Sequence, residues 1–238
     1  MDTTRLIERF STPDEAGLTL MTPLVVSQAK KVLYLHIAKT GGSSIVRLLK
    51  NNGMDDGVLS HKGNDVDHAQ KLAYFTEVAN NWDDYYKFTF VRNKYDLLIS
   101  LYNYDSQLHG AYSLPSSTTF ENFIVNHVGC SDTFVKKIQY NKLIDQYYLT
   151  HLDGEPLFDF VGEYQTYTAD LNKVCDHLGV VNTQVRVNEG NYDRSKKDSY
   201  YTETLRENLR TKFPQEFEHF GWWYEGTLYR PRSPFPKK

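Results

Sequence analysis

Residues Val32 to Ile37 are apolar, aromatic or β-branched at all but one position, the pattern of a buried strand. A polar stretch from Ala38 to Ser44 follows, and Ile45, Val46, Leu48 and Leu49 then recur at the spacing of one helical face. The same order of strand, polar turn and helix returns between Phe88 and Tyr102, with the strand ending at Val91. Helices are predicted over residues 66–79, 120–127 and 168–178, and strands over 87–91 and 157–161. Strands separated by helices predict an α/β domain whose central, mostly parallel sheet is flanked by helices. Residues 1–30 read as a polar lead-in with one short helix and an approach, bounded by Pro23, to the first strand. Residues 51–67 and 105–118 are rich in turn formers and read as loops. No repeat or linker divides the rest, so residues 31–238 are expected to form a single domain, a length sufficient for a substantial core.

The polar stretch between the first strand and its helix carries the first candidate chemistry. Strand, glycine turn and helix in that order aim backbone N–H groups and a positive helix end at one point, which suits a phosphate or sulfate. Gly41 and Gly42 make the turn, Lys39 adds a cation, and Thr40, Ser43 and Ser44 add hydroxyl donors. Here the lysine precedes the glycines, a departure from GxxxxGK[ST] that argues against an ordinary ATPase or GTPase. A tight turn with solvated polar residues would leave the same string. The second segment shifts the balance. Arg92 leaves its strand at the carboxyl end, where open α/β sheets place ligands, and Ser100 follows eight residues on, about two helical turns. A guanidinium and a hydroxyl there suit a second phosphate. Pairing of Arg92 with Asp96, and packing of Ser100 within the helix, is the plainer use of the same residues.

Taken together, the segments resemble the sulfotransferases that use 3′-phosphoadenosine-5′-phosphosulfate (PAPS), in particular the carbohydrate branch that is similar to heparan sulfate 2-O-sulfotransferases. His36 to Ser44 looks like that branch's H-I-P-K-T-G-G-T-S, and Phe88 to Tyr102 looks like its F-x-F-V-R-N-P-Y-D-R-L-x-S-x-Y. Asp159 to Gln165, with Asp170-Leu171 and Leu178-Gly179, is similar to D-F-V-G-R-F-E…D-L…L-G. Tyr200-Tyr-Thr202 and Phe217 to Trp222 stand near the closing Y-Y-T…D-F-x-x-F-G-Y. The blocks run in family order from about residue 32 to 222. There are departures. Ala38 and Lys94 replace prolines, Ser43 replaces threonine with its hydroxyl kept, and Glu163 reverses a charge, which undercuts any role carried over to that position. Lys94 is expected to loosen the helix start and to add charge at the second anion site.

The resemblance implies a P-loop-like fold and an enzyme that transfers a sulfuryl group from PAPS to an acceptor hydroxyl, releasing 3′-phosphoadenosine-5′-phosphate (PAP). Lys39 would meet the bridging oxygen as negative charge grows there, with no metal needed. The backbone of Gly41, Gly42, Ser43 and Ser44 and the hydroxyls of Thr40, Ser43 and Ser44 would hold the 5′-phosphate; Arg92 and Ser100 would hold the 3′-phosphate. The acceptor needs a general base, and histidine suits neutral pH. Of eight histidines, His36 lies in the strand before the turn, where it packs or orients the loop. His68, 24 residues before Arg92 and ahead of Trp82 to Phe88, falls where the family places its base; His61 is the second choice, and either would also pass as a surface histidine.

The branch points to a carbohydrate acceptor, and eighteen tyrosines and three tryptophans supply rings for stacking, though most must be core. Residues 134–150, with Gln139, Gln146, Tyr147 and Tyr148, could border the acceptor cleft. The run 188–199, with Arg194, Lys196 and Lys197, could cover the nucleotide or be a solvated loop. A net charge of −3 argues against bulk nucleic-acid binding. Cys130 and Cys175 lack metal-ligand spacing and read as ordinary packing in a reducing compartment. Neither a signal peptide nor a membrane span is read at Met1 to Arg9. A cytoplasmic bacterial or viral enzyme is therefore expected, rather than a trimmed piece of an anchored one. Two rivals remain open. A nucleotide or sugar kinase should show an acidic Mg²⁺ site and a lysine after its glycines. The other is a non-catalytic binder of sulfated or phosphorylated ligands on the same fold.

Overall fold

A computed structural model describes residues 2–14, 17–20, 24–57, 68–108, 114–129, 142, 144–183 and 199–225. The chain divides into two compact units, the first comprising Met1–Val91, Leu149–Val187 and Phe235–Lys238, the second Arg92–Tyr148 and Asn188–Pro234.

The first unit opens with α1 (Thr3–Phe10), whose N-cap Asp2 accepts the Thr4 N–H at 2.9 Å. The antiparallel hairpin β1 (Ser11–Asp14) and β2 (Gly17–Leu20) follows. The principal sheet is built from β3 (Leu24–Ser27), β4 (Val32–Leu35), β5 (Tyr86–Val91) and a later strand, Phe160–Glu163, in that spatial order. β3 runs antiparallel to β4; the other two pairings are parallel. The helices α2 (Gly42–Asn51) and α3 (His68–Asn80) lie between β4 and β5 in the chain.

Burial explains the apolar strand pattern. β4 is buried at all four positions and β5 at all but its first, as befits strands covered on both faces. On one face, Tyr34, Phe88 and Phe160 stand in register across three strands, and Ile45, Leu48 and Leu49 of α2 pack against them. The Tyr34 and Phe88 rings lie 4.9 Å apart. Elsewhere in this unit Phe10 of α1 meets Phe75 of α3 edge-on at 6.0 Å and stacks near Trp82 at 6.1 Å. Full burial of such a side chain contributes about 1.5–3 kcal/mol. Near the start of β5 the polar groups of Lys87 are matched: its N–H donates to Asp159 Oδ2 at 2.8 Å, and its ammonium lies 3.0 Å from the same oxygen.

In the second unit, α4 (Lys94–Leu108) and α5 (Phe120–Asn126) are followed by α6 (Gln146–Thr150), which begins there. The small hairpin β6 (His151–Leu152) and β7 (Glu155–Pro156), then β8 (Phe160–Glu163) and α7 (Tyr167–Leu178), belong to the first unit. The helices α8 (Glu203–Lys212) and α9 (Pro214–Glu225) complete the second. Thr119 and Thr202 cap α5 and α8 by accepting the N–H groups of Asn122 at 3.1 Å and Leu205 at 3.3 Å. At the far end of α5, the Lys212 ammonium donates to the carbonyls of Ile124, Val125 and Val128 at 2.8, 2.7 and 2.6 Å. It thereby answers the orphan acceptors of a helix C-terminus.

The central, mostly parallel sheet flanked by helices is as expected, with three departures. The lead-in holds β1, β2 and β3 besides its helix, and β3 extends the sheet by one antiparallel strand. The first strand stops at Leu35, because His36 and Ile37 already belong to the turn. The last strand starts at Phe160 instead of 157: Leu157 donates to Thr150 O at 2.9 Å, and Asp159 donates to Lys87 O at 2.9 Å ahead of the ladder. Among the described residues, no helix is long and apolar enough to cross a membrane.

Candidate active site

Within the first unit, the chain leaves β4 and turns through residues 36–41 before α2 begins at Gly42. Lys39 has φ 62° and Gly41 φ 86°, so two left-handed residues flank Thr40. Glycine adopts that region freely, whereas a lysine there carries about 1–2 kcal/mol of strain. Such strain persists only where the surroundings over-determine the backbone, and it gathers at functional sites. Thr40 is fully buried and its hydroxyl donates to Ile37 O at 2.8 Å, closing the turn from inside. Ser43 is exposed and Ser44 half-buried. No side chain caps α2 and its first turn holds no acidic residue, so its own first turn supplies no carboxylate to offset the positive end of the helix.

Two rings press on the glycines. A Cβ on Gly42 would fall 1.9 Å from Cδ2 of His36, whose imidazole stacks near Tyr34 at 6.1 Å with 20° between the planes. A Cβ on Gly41 would fall 2.8 Å from Cε2 of Tyr167. The Tyr167 hydroxyl donates to Gly41 O at 3.1 Å, and Phe90 holds the ring from a centroid distance of 5.2 Å. Burial pushes the Tyr167 phenol up to about 12, against an opposing hydrogen bond with Ser44. Burial also raises Tyr34 far above its ordinary value, with Tyr167 adding to the shift. Both phenols therefore remain protonated at neutral pH.

The start of α7 is fixed in turn by Asp170. Its Oδ2 accepts the Glu163 N–H at 3.0 Å and the Thr166 hydroxyl at 2.7 Å, while Oδ1 accepts the Lys173 ammonium at 2.6 Å. Burial works to raise this carboxyl, but the donors from Lys173, Thr166 and Glu163 outweigh it and hold Asp170 below the usual carboxylate range. Glu163 itself, the charge reversal noted in the sequence, is buried at the end of β8.

Replacing Gly42 with alanine is expected to cost about 1–3 kcal/mol, because the new methyl and the His36 ring claim one space. Chemical denaturation of Gly42→Ala beside His36→Ala/Gly42→Ala measures this, and the double variant should recover most of the loss. A stable single variant would mean that the ring moves aside without cost.

In the second unit, Arg92 is 4 % exposed, and its backbone is gripped by one side-chain amide. Gln146 Oε1 accepts the Arg92 N–H at 2.7 Å, and Gln146 Nε2 donates to Arg92 O at 2.8 Å. Asn93 starts α4, its Oδ1 accepting the Tyr95 N–H at 3.1 Å. Ser100 is half-buried on the same helix. Two expectations are corrected here. Lys94 adds no charge to an anion site: it is fully buried, its ammonium 2.9 Å from Glu216 Oε2 and 2.8 Å from Ile144 O, over the Phe213 ring at 3.6 Å. A buried ammonium is tolerable only when so paired. Gln146 borders no cleft; it is fully buried, donating also to Glu216 and to the Tyr224 hydroxyl.

His68 is the first residue of α3, at the end of a segment that lies outside the described residues and contains His61. Gln139 and the basic residues 194, 196 and 197 lie outside them too. Sequence reasoning missed Tyr167: its partner Gly41 is 126 residues away, and no local pattern marks the contact.

A strand ending in a left-handed, glycine-containing turn at the amino end of a helix without a side-chain cap, on a mostly parallel sheet, is an arrangement suited to anions in α/β proteins. The sequence matches the family described as Sulfotransferase family over residues 22–221, and the chain belongs to that family. It is a transferase, and its chemistry is sulfuryl transfer. No curated protein and no solved structure matches it.

Proposed function

We propose that this sulfotransferase takes its sulfuryl group from PAPS and delivers it to a hydroxyl of a carbohydrate. The observation that carries the reading is the turn itself: a lysine held at φ 62° beside Gly41 and Gly42, at a helix start with neither cap nor acidic residue. The carbohydrate acceptor is supported by the four sequence blocks that resemble the heparan sulfate branch. In this reading Gly41, Gly42 and Ser43 receive the 5′-phosphate on backbone N–H groups, and Ser43 and Ser44 on their hydroxyls, the Ser44 N–H being bonded to Gly41 O at 3.2 Å. Thr40 keeps the turn closed with its hydroxyl. Arg92 and Ser100 are assigned to the 3′-phosphate on the strength of their motif.

The reaction moves one group. A base, His68 with His61 as second candidate, removes the acceptor's hydroxyl proton; the acceptor oxygen bonds to sulfur while the bond from sulfur to the bridging oxygen breaks. The electron pair stays on that oxygen, which leaves as part of PAP, and the Lys39 ammonium stabilises the charge there.

Calorimetric titration with PAP, run beside ATP, tests the donor site. Wild type is expected to bind PAP far more tightly than ATP. Arg92→Ala should weaken PAP about 10- to 100-fold, as loss of charged hydrogen bonds would, with its folding checked by thermal melting. No PAP binding by a folded wild type would overturn the reading, and tighter ATP than PAP would favour a kinase.

A further inference from the structure

We propose that Tyr167 is a positioning residue for the anion turn: its phenol aims the backbone that receives the 5′-phosphate. The inference rests on the reading above and adds to it a residue outside every motif. A trans peptide is planar, with its C=O and N–H pointing in opposite directions. Gly41 O and the Gly42 N–H belong to one such plane. By donating to Gly41 O at 3.1 Å, Tyr167 fixes the carbonyl on its own side and turns the Gly42 N–H, the first of α2, away toward the anion position. Gly41 needs this restraint. At φ 86° it is the most freely rotating type of residue at the most critical peptide, and the Ser44 N–H, 3.2 Å from the same carbonyl, belongs to the helix being oriented.

The phenol is itself well placed to serve as a fixed point. Tyr167 opens α7, its ring is held by Phe90 at 5.2 Å and Tyr164 at 5.9 Å, and Asp170 ties the preceding segment to the helix through Glu163 and Thr166. Its hydroxyl stays protonated, so the donor is constant across the physiological range. The Tyr167 ring also lies 2.8 Å from where a Gly41 Cβ would be, so the contact admits glycine alone. His36 covers the neighbouring Gly42, so the peptide is braced on both of its glycines.

The test compares two nucleotides on Tyr167→Phe, which removes one oxygen and keeps the ring. PAP carries both phosphates; adenosine 3′-monophosphate lacks the 5′-phosphate that the turn would hold. Tyr167→Phe should bind PAP about 3- to 10-fold more weakly than wild type, the effect of one lost hydrogen bond, with adenosine 3′-monophosphate unchanged. Tyr167→Leu should weaken PAP further with the same selectivity. Equal PAP affinity in folded Tyr167→Phe overturns the inference. So does equal loss for both nucleotides, and so does failure of both variants to fold, which would make the phenol a support of the fold alone. Wild type that binds neither nucleotide would instead overturn the donor reading, a distinct result.

Discussion

Lys94→Met is expected to destabilise the protein by about 3–5 kcal/mol, the loss that follows when one partner of a buried ion pair is removed. The pair is fully buried on both sides, and Glu216 is tied to more than Lys94: its Oε2 accepts the Gln146 N–H at 2.9 Å and its Oε1 the Tyr224 hydroxyl at 2.6 Å. Methionine fills the space of the lysine stem but leaves this carboxylate without a cation. The cost should depend on pH. Burial, then the Glu216 charge, push the Asp145 carboxyl up to about 7, and Lys94 opposes them. Without Lys94 the Asp145 value rises further. A carboxyl raised above its unfolded value, about 3.9, contributes stability that is complete below that value and lost as pH rises through the folded one. At pH 5 Asp145 is largely protonated in both proteins and adds little difference; at pH 8 it is charged in wild type and costly in the variant. Urea unfolding at the two values should therefore show the larger deficit at pH 8. Lys94→Met/Glu216→Gln should recover part of it. A deficit under about 1 kcal/mol, the range of exposed pairs, would contradict the buried pairing.

Lys39→Gly should separate stability from catalysis. Glycine accepts the left-handed backbone at position 39 without strain, so the variant should melt as high as wild type or higher. Yet the cation proposed to meet the bridging oxygen is gone, and release of PAP from PAPS should slow by about 10²–10³-fold, the range for one lost electrostatic contact to a developing charge. Affinity for PAP should fall much less, because the interaction belongs to the transition state more than to the bound nucleotide. Titration calorimetry and single-turnover assays on one preparation measure both quantities. Equal losses in rate and in affinity would make Lys39 a binding residue only.

The parts legible in the sequence were those written in consecutive residues. Val32 to Leu49 spells strand, turn and helix locally, so its architecture was legible without any distant contact. β3 escaped because four residues, Leu24 to Ser27, give too short an apolar run to stand out after Pro23. The charge of Lys94 was visible, but its destination was not: Glu216 lies 122 residues away, and only packing decides whether an ammonium faces solvent or a carboxylate. Gln146 looked like a polar residue for a cleft, whereas in the fold it acts as a short piece of strand, pairing with both backbone groups of Arg92. Tyr167 was silent for the same reason, since its one hydroxyl acts on a carbonyl in a distant segment.

The span between Gly41 and the phenol that braces it also sets a clock. The two are 126 residues apart, and chains are made at about 5–20 residues per second, so roughly 6–25 s pass between synthesis of the turn and synthesis of Tyr167. Over that interval the nascent chain carries its glycines and Lys39 without the Tyr167 contact, and the strand β8 that borders β5 is also still to come. The turn is therefore finished only when a segment made 126 residues after it has folded back onto it.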